Sequence, residues 1–423
     1  MINGAGAAGL ISALEEAQTG RSVGVIEAKE KPGGRIRSVF TEKNYPVELG
    51  AEFIHGKLPI TTELLEKAGA KKHTINGSIW QSKDGQLSKQ KDFIGDYEDL
   101  EKKFDNLESD VSVADFLSEH LNGEQYKELR FSLQNYVEGY YAADINKAST
   151  FALREELARE DEDQHRIEGG YQKLIKFLEE TCVSKGVQFY FSQQVTQLHW
   201  KENSVEAMTH TGSFSSKKVI VTVSIGVLQR DGIHFFPSLP EKKAAAMKLG
   251  FGQVVKINLL FEDAFWKDLF LTGKKNLENL NFLLSEEEIP TWWTQHPNGE
   301  PLLTGWVGGP KAALLQNLDK EQLVNKAIYS LSRIFNIDVL HLQQKLITAE
   351  CYNWAEDPHF YGAYSYEVLQ GEEYMKQILT PVEQTLFFAG EGLHHGSEIG
   401  TVEAALQSGR SVAQQVTAGY FSL

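Results

Sequence analysis

Residues 1–35, "MINGAGAAGLISALEEAQTGRSVGVIEAKEKPGGR", decide the fold. Gly4, Gly6 and Gly9 have the GxGxxG spacing. Behind them Leu10, Ile11, Ala13, Leu14 and Ala17 fall at helical intervals, and Gly20 is placed to end the helix. Ser22-Val-Gly-Val-Ile26 then reads as a buried strand that ends on Glu27. Turn, helix, strand and acidic tip together make a dinucleotide cradle. The glycines let the backbone turn tightly beside a pyrophosphate, whose charge the helix N-terminus favours, and Glu27 can accept from both ribose hydroxyls. The same carboxylate repels a 2′-phosphate, which reads against NADP. Met1-Ile2-Asn3 is shorter than the usual first strand of ~5 residues; a shortened start or an unusually brief strand would each account for it.

Further along, Lys31-Pro-Gly-Gly-Arg35 sets two flexible glycines, Gly33 and Gly34, beside a cation that can pair bidentately with phosphate. That arrangement favours FAD over NAD. With 423 residues the chain exceeds one ordinary core, so two domains or one elaborated domain are expected. No apolar run approaches the ~20 residues of a membrane span, and no basic, apolar leader opens the chain. Cys182 and Cys351 are too far apart for a metal spacing and point weakly to a reducing compartment; cytoplasmic is the default expectation, with an upstream export signal left open. The net charge of −16 disfavours nucleic acid and mildly favours cationic ligands, although acidity for solubility explains it equally well. The acidic stretch 155–163 reads as a solvated helix end or loop.

Several later motifs fall in order: "VELGAEFIHG" (47–56), "EGGYQKLI" (168–175), "VTVSIGVLQ" (221–229), "LGFGQVVKINLLF" (249–261), "WAEDPHFYGAYSY" (354–366) and "FFAGE" (387–391). With the opening fingerprint, they make the sequence resemble the flavin-containing amine oxidases, which include monoamine oxidases, polyamine oxidases and lysine-specific histone demethylases. The resemblance covers almost the whole chain. It implies an α/β (α+β overall) fold, with a Rossmann-like FAD-binding domain in three segments (1–72, 167–246, 358–423). A substrate domain of mixed sheet and helices (73–166, 247–357) would be interleaved with it. The cofactor side would comprise Gly4, Gly6, Ala7, Gly9, Glu27, Ala28, Gly33, Gly34, Arg35, Gly50, Ala51, Glu52 and Phe53. Val195 would pair its backbone with adenine. Gly390 and Glu391 would lie near the ribityl and pyrophosphate region, and Thr401 and Val402 near the flavin edge. Gly169 and Gly170 would let their turn approach the cofactor.

Lys256 is the leading catalytic candidate. Strand alternation puts Val254, Lys256, Asn258 and Leu260 on one face, and an ammonium in so apolar a strand is costly to bury. From these residues alone it reads as an edge-strand lysine that blocks aggregation. The resemblance instead implies that it holds a water against flavin N5. Tyr364 would form one wall of an aromatic cage for the amine. Thr401 stands where monoamine oxidases carry a second tyrosine, so the cage would be one-sided. His55 reads either as a substrate-facing imidazole or as a polar loop residue. Ala363 occupies the place of the cysteine that monoamine oxidases bond to the flavin, which implies non-covalent FAD. His394 and His395 read as loop residues near the flavin rather than metal ligands, since no third ligand is spaced to help. Trp292 and Trp293 read as packing residues, with a substrate route as the alternative.

The expected function is oxidative deamination of a small-molecule amine with O2 as acceptor and H2O2 as product, polyamine favoured and monoamine next. No nucleic-acid or membrane partner is expected, and the sequence leaves the oligomeric state open. The alternatives are an L-amino acid oxidase, another flavin oxidoreductase of the same fold, or an FAD-binding module without turnover. No tower-like helical insertion is evident, which reads against a histone demethylase.

Overall fold

The computed structural model describes residues 1–423 except Asp96, 159–162, Lys274, His395, Ser397 and 422–423. His395 and the centre of the acidic stretch therefore lie outside the described residues. The chain forms two compact units: Met1–Lys72, Ile167–Phe251 and Glu356–Leu423 make one, and His73–Arg166 with Gly252–Ala355 the other.

The first unit is built on a five-stranded parallel sheet in the order Gln188–Tyr190, Gly24–Ile26, Ile2–Asn3, Val219–Val221, Leu386–Phe388. The first strand is only two residues long, yet it occupies the centre. Ile2 pairs with Val25 and Ile220, and Asn3 with Ile26 and Val221. Both of its edges are paired and both of its faces are covered. Ile2 packs with Leu10, Ile11, Val25 and Phe387 on one face; Ile26, Val221 and Phe388 pack with Val195 and Leu198 on the other. The second strand begins at Gly24, two residues later than the sequence pattern implies.

The helix Ala7–Gln18 follows the turn and Gly20 sits just past its end with φ +81°. It packs closely on the last helix, Val402–Phe421. A Cβ on Gly409 would lie 2.4 Å from the Ala8 carbonyl oxygen, so the crossing requires glycine there. Ser12 Oγ shares its proton between the Ala8 and Gly409 carbonyls, at 2.8 and 2.9 Å.

The last helix also caps another. Glu403 is fully buried and its carboxylate accepts from the Ile60 and Thr61 N–H groups (2.9 and 2.8 Å) and from the Thr61 hydroxyl (2.7 Å), at the start of helix Pro59–Lys67. A carboxylate at a helix N-terminus satisfies orphan donors and meets the positive end of the dipole. Glu403→Ala leaves these donors buried without an acceptor and is expected to cost about 3 kcal/mol. The check is the thermal midpoint: several degrees lower for Glu403→Ala, and about half recovered in Glu403→Gln, which keeps an acceptor.

The second unit centres on a seven-stranded sheet ordered Leu346–Asn353, Val254–Phe261, Leu302–Gly308, Thr291–Thr294, Leu280–Ser285, Ser78–Lys83, Gln86–Gln90. One face, with Val255, Ile257, Leu259, Leu303, Val307 and Trp292, packs on Ala327, Ile328, Leu331 and Ile334 of helix Lys320–Phe335. That helix opens with a capping box made by Asp319 and Gln322.

Candidate functional site

The glycine turn of the first unit has a distinct reason for each glycine. Gly4 has φ +113°. A Cβ on Gly9 would lie 1.9 Å from the Gly4 carbonyl oxygen, so helix and turn could not close on each other. Gly6 differs: a Cβ there would meet only Gly34 Cα, at 4.0 Å. Packing does not demand glycine at that position, so the clearance serves whatever approaches the turn. Gly6 is also the N-cap of helix Ala7–Gln18, with no side-chain cap and no acidic residue in the first turn. Open space beside uncapped helical N–H groups suits a pyrophosphate.

The Lys31–Arg35 segment folds onto this turn. The Gly33 N–H donates to the Ala5 carbonyl at 2.9 Å, and a Cβ on Gly34 would lie 3.3 Å from Gly6 Cα. Glu27 is buried, and accepts from the N–H groups of Ala5 (2.7 Å) and Lys29 (2.9 Å) across Ala28. Burial pushes its carboxyl pKa up, and these N–H groups and the charges of His359 and Lys29 offset part of the rise. The Gln193 N–H donates to the Glu27 carbonyl at 2.8 Å, which brings the start of strand Val195–Lys201 alongside. These donors, the carboxylate and the clearance fit the adenosine and pyrophosphate of FAD.

Arg35 organises a second group. Its guanidinium donates to Glu391 Oε1 at 2.5 Å and to the Ala363 carbonyl at 2.8 Å. Glu391, 5% exposed, also accepts from the Ser365 N–H and hydroxyl, both at 3.2 Å. This network fixes the segment that carries Tyr364. The same segment explains two sequence motifs. Gly226 passes close to the Phe360 carbonyl, 2.3 Å from an added Cβ, and Ser224 donates to that carbonyl at 2.7 Å. Gly392 makes room for Ser365 Oγ, 2.2 Å from an added Cβ. The Ala51 N–H donates to the Arg35 carbonyl at 3.2 Å, so the segment containing Gly50, Ala51, Glu52 and Phe53 runs beside Arg35.

Tyr364 opens the strand Tyr364–Tyr366 and its ring is half-buried; burial lifts its phenol pKa well above the usual tyrosine value. Gly400 stands beside it, 3.4 Å from the ring edge to an added Cβ. The Thr401 hydroxyl faces a different task. It donates to the Glu398 carbonyl at 2.6 Å and accepts from the Ala404 N–H at 3.2 Å, which caps the helix beginning at Val402. The Gly390 N–H donates to Ser408 Oγ at 3.1 Å on that same helix. His55 ends the strand Phe53–His55 with its ring 5.9 Å from that of Phe53. His394 Nε2 lies 3.4 Å from Glu398. Among the described residues, no group of three or more His, Cys, Asp or Glu is placed to hold a metal.

Lys256 lies in the second unit, and the edge-strand reading fails there. Its strand is paired on both sides, with Lys256 opposite Trp306 and Tyr352, and the residue is 1% exposed. Its face is the one turned away from helix Lys320–Phe335. Cross-strand pairing groups Lys256 and Asn258 with Trp306, Thr304 and Trp293. Lys256 Nζ stands 5.3 Å from the Trp293 ring centroid, and the Trp293 and Trp306 rings are 5.7 Å apart. An ammonium over desolvated aromatic faces gains about 2 kcal/mol. The two tryptophans therefore divide: Trp293 joins the lysine face, whereas Trp292 is fully buried in the opposite core, its indole N–H on the Ile289 carbonyl at 2.9 Å.

Sequence reasoning missed Glu48. Its carboxylate accepts from the Tyr171 N–H (2.7 Å) and the Ser38 hydroxyl (2.7 Å), and a Cβ on Gly170 would lie 2.7 Å from it. The turn at Gly169 and Gly170, expected to approach the cofactor, closes on this carboxylate. The only signal was an acid in a short apolar run, whose partner lies 123 residues away.

A model of the flavin-containing amine oxidoreductases matches residues 7–122 and 86–417. The chain is similar to polyamine oxidase 2 of Arabidopsis thaliana, at 25% identity over 98% of this chain and 87% of that one. It is also similar to lysine-specific histone demethylase 2 of Homo sapiens, at 27% identity over 99% of this chain and 53% of that one. Among solved structures, wild-type putrescine oxidase bound to putrescine has the same fold, with a TM-score of 0.78 at 19% identity, covering 99% of this chain and 98% of that one.

Proposed function

The chain belongs to the flavin-containing amine oxidoreductases, an FAD-dependent family, and from that premise we propose that it oxidises polyamines, with monoamines as the second substrate class. The observation that carries the proposal is Lys256, an ammonium-bearing side chain held 1% exposed on an aromatic sheet face. Burial of that kind is expensive and is kept at functional sites. The similarity to polyamine oxidase 2 and the net charge of −16 support a cationic substrate.

FAD held by the glycine turn would supply the redox chemistry, as acceptor of a hydride equivalent from the amine α-carbon with O2 as the final acceptor and H2O2 as product. The chain's part is binding, orientation and proton placement. Gly4, Gly6 and Gly9 shape the turn for the pyrophosphate, and Glu27 offers its carboxylate to the ribose. Arg35 and Glu391 hold Tyr364 in place, and the phenol presents its ring to the alkyl chain of the amine. Lys256 Nζ, in this proposal, holds the water that is consumed when the imine is hydrolysed to aldehyde and amine. With Ala363 at the position that resemblance assigns to the flavin-bonding cysteine, FAD attachment is proposed to be non-covalent.

The test is a peroxide-coupled panel of putrescine, spermidine, spermine, a benzylic monoamine and L-amino acids. Peroxide with at least one polyamine, at the highest kcat/KM in the panel, is expected. Peroxide with L-amino acids alone would replace this reading by the amino-acid oxidase alternative. A flavin-bearing protein inert to all of them would favour a binding module.

A further inference from the structure

One side chain of the 354–366 motif has no task in the fold. His359 is half-buried, its backbone N–H donates to Asp357 Oδ1 at 2.9 Å, and its ring makes no hydrogen bond to any described residue. The backbone that carries it is nevertheless fixed from both sides. The Phe360 and Tyr361 N–H groups donate to the Asp357 carbonyl at 3.0 and 2.8 Å, and the Phe360 carbonyl accepts from the Ser224 hydroxyl at 2.7 Å. A fixed turn that holds an unengaged imidazole within reach of solvent is built to meet a ligand.

The neighbourhood says which ligand. Lys29 ties this turn to Glu27: its N–H donates to Glu27 Oε1 at 2.9 Å, and its ammonium to Asp357 Oδ2 at 2.5 Å, 5.0 Å from the Phe360 ring centroid. The charge of His359 acts on the Glu27 carboxylate at least as strongly as that of Lys29, so the imidazole lies on the Glu27 side of the turn. Yet no hydrogen bond or ion pair joins His359 to Glu27. Among the described residues, the two Glu27 oxygens accept only from the Ala5 and Lys29 N–H groups, one each, whereas a carboxylate has about four acceptor sites. An acid and an imidazole that are close, unjoined and unspent suit a group that donates to one and accepts from the other. A hydroxyl does both. A phosphate only accepts and is repelled by the carboxylate; an ammonium only donates and leaves the imidazole N–H unmet.

We infer that His359 is a cofactor-binding residue whose imidazole N–H donates to a ribose hydroxyl of the FAD adenosine, the hydroxyl that in turn donates to Glu27. The inference rests on the family's flavin and on the ribose role of Glu27, not on which amine is oxidised. It makes the grip on adenosine depend on that one hydroxyl, and it leaves the fold indifferent to the ring.

The experiment uses the full chain and no amine. Flavin affinity is read by equilibrium dialysis, and the affinities of ADP, 2′-deoxy-ADP and 3′-deoxy-ADP by competition with FAD. His359→Ala is expected to weaken FAD and ADP about tenfold and to leave the flavin-free thermal midpoint within about 2 °C of wild type. The analogue that lacks the bridging hydroxyl should bind the variant as it binds wild type, so the preference for ADP over that analogue falls by the same factor. His359→Asn and His359→Gln carry a donor near the places of the two ring nitrogens, and one of them should restore the preference. Unchanged FAD and ADP affinity in His359→Ala would overturn the inference. Equal losses for ADP and both analogues would also overturn it, by moving the contact off the ribose. A midpoint several degrees lower in all three variants would assign the ring to the fold instead. A wild type that binds ADP and both analogues equally would overturn it together with the ribose role of Glu27.

Discussion

Lys256→Met is expected to give a yellow, folded protein whose amine turnover falls by at least about 100-fold. Methionine matches the length of the lysine stem, and replacing a buried ion by a packed apolar side chain is often neutral or stabilising. The thermal midpoint should therefore hold or rise. The strand, with Trp306 and Tyr352 as cross-strand neighbours, has no reason to slip. Lys256→Arg keeps the charge but not the compact ammonium, and should be nearly as slow. Flavin content and turnover are read on the same preparation. Wild-type kcat and wild-type rates of flavin reoxidation in both variants would remove Lys256 from the mechanism.

Gly9→Ala is expected to produce a colourless protein, with FAD affinity lowered by about 100-fold or more. The new methyl would sit 1.9 Å from the Gly4 carbonyl oxygen. Gly4 cannot retreat freely, because its N–H is bonded to the Ile26 carbonyl and its carbonyl to the Thr222 hydroxyl at 3.2 Å. The turn must open, and the spacing between turn and helix N-terminus is lost. Gly20→Ala is the matched control. Unlike helical Gly9, Gly20 has a positive φ, +81°, but nothing lies within 4 Å of the added carbon. It should cost about 1–2 kcal/mol of stability and keep the flavin. Equal flavin content in Gly9→Ala and wild type would refute the assignment of this turn to the cofactor.

The opening of the chain was legible because backbone geometry speaks through glycine. A turn, a helix at 3.6-residue spacing and a strand ending on an acid are all local, and the fold places them as the pattern implies. The brief first strand was legible as an anomaly. Its central position was not, since pairing with Val219–Val221 joins residues more than 200 apart in the chain. Glu403 and Glu48 escaped for the same reason: each is an ordinary acid until the N–H groups it serves, 342 and 123 residues away, are brought to it. Lys256 shows the limit of pattern most clearly. Alternation gave its face correctly, but a lysine in an apolar octet reads as an edge residue unless the flanking strands are known. Thr401 stood out in the sequence as a departure from a cage tyrosine; the Glu398 carbonyl and Ala404 N–H that its hydroxyl serves become visible only in the fold.

Anaerobic mixing of the purified protein with a polyamine, followed by the flavin absorption band, tests the central claim most directly. The account predicts a yellow protein that bleaches on mixing and regains its colour, with release of peroxide, when air is admitted. A protein that retains flavin but keeps its full colour with every polyamine and monoamine tried would contradict it.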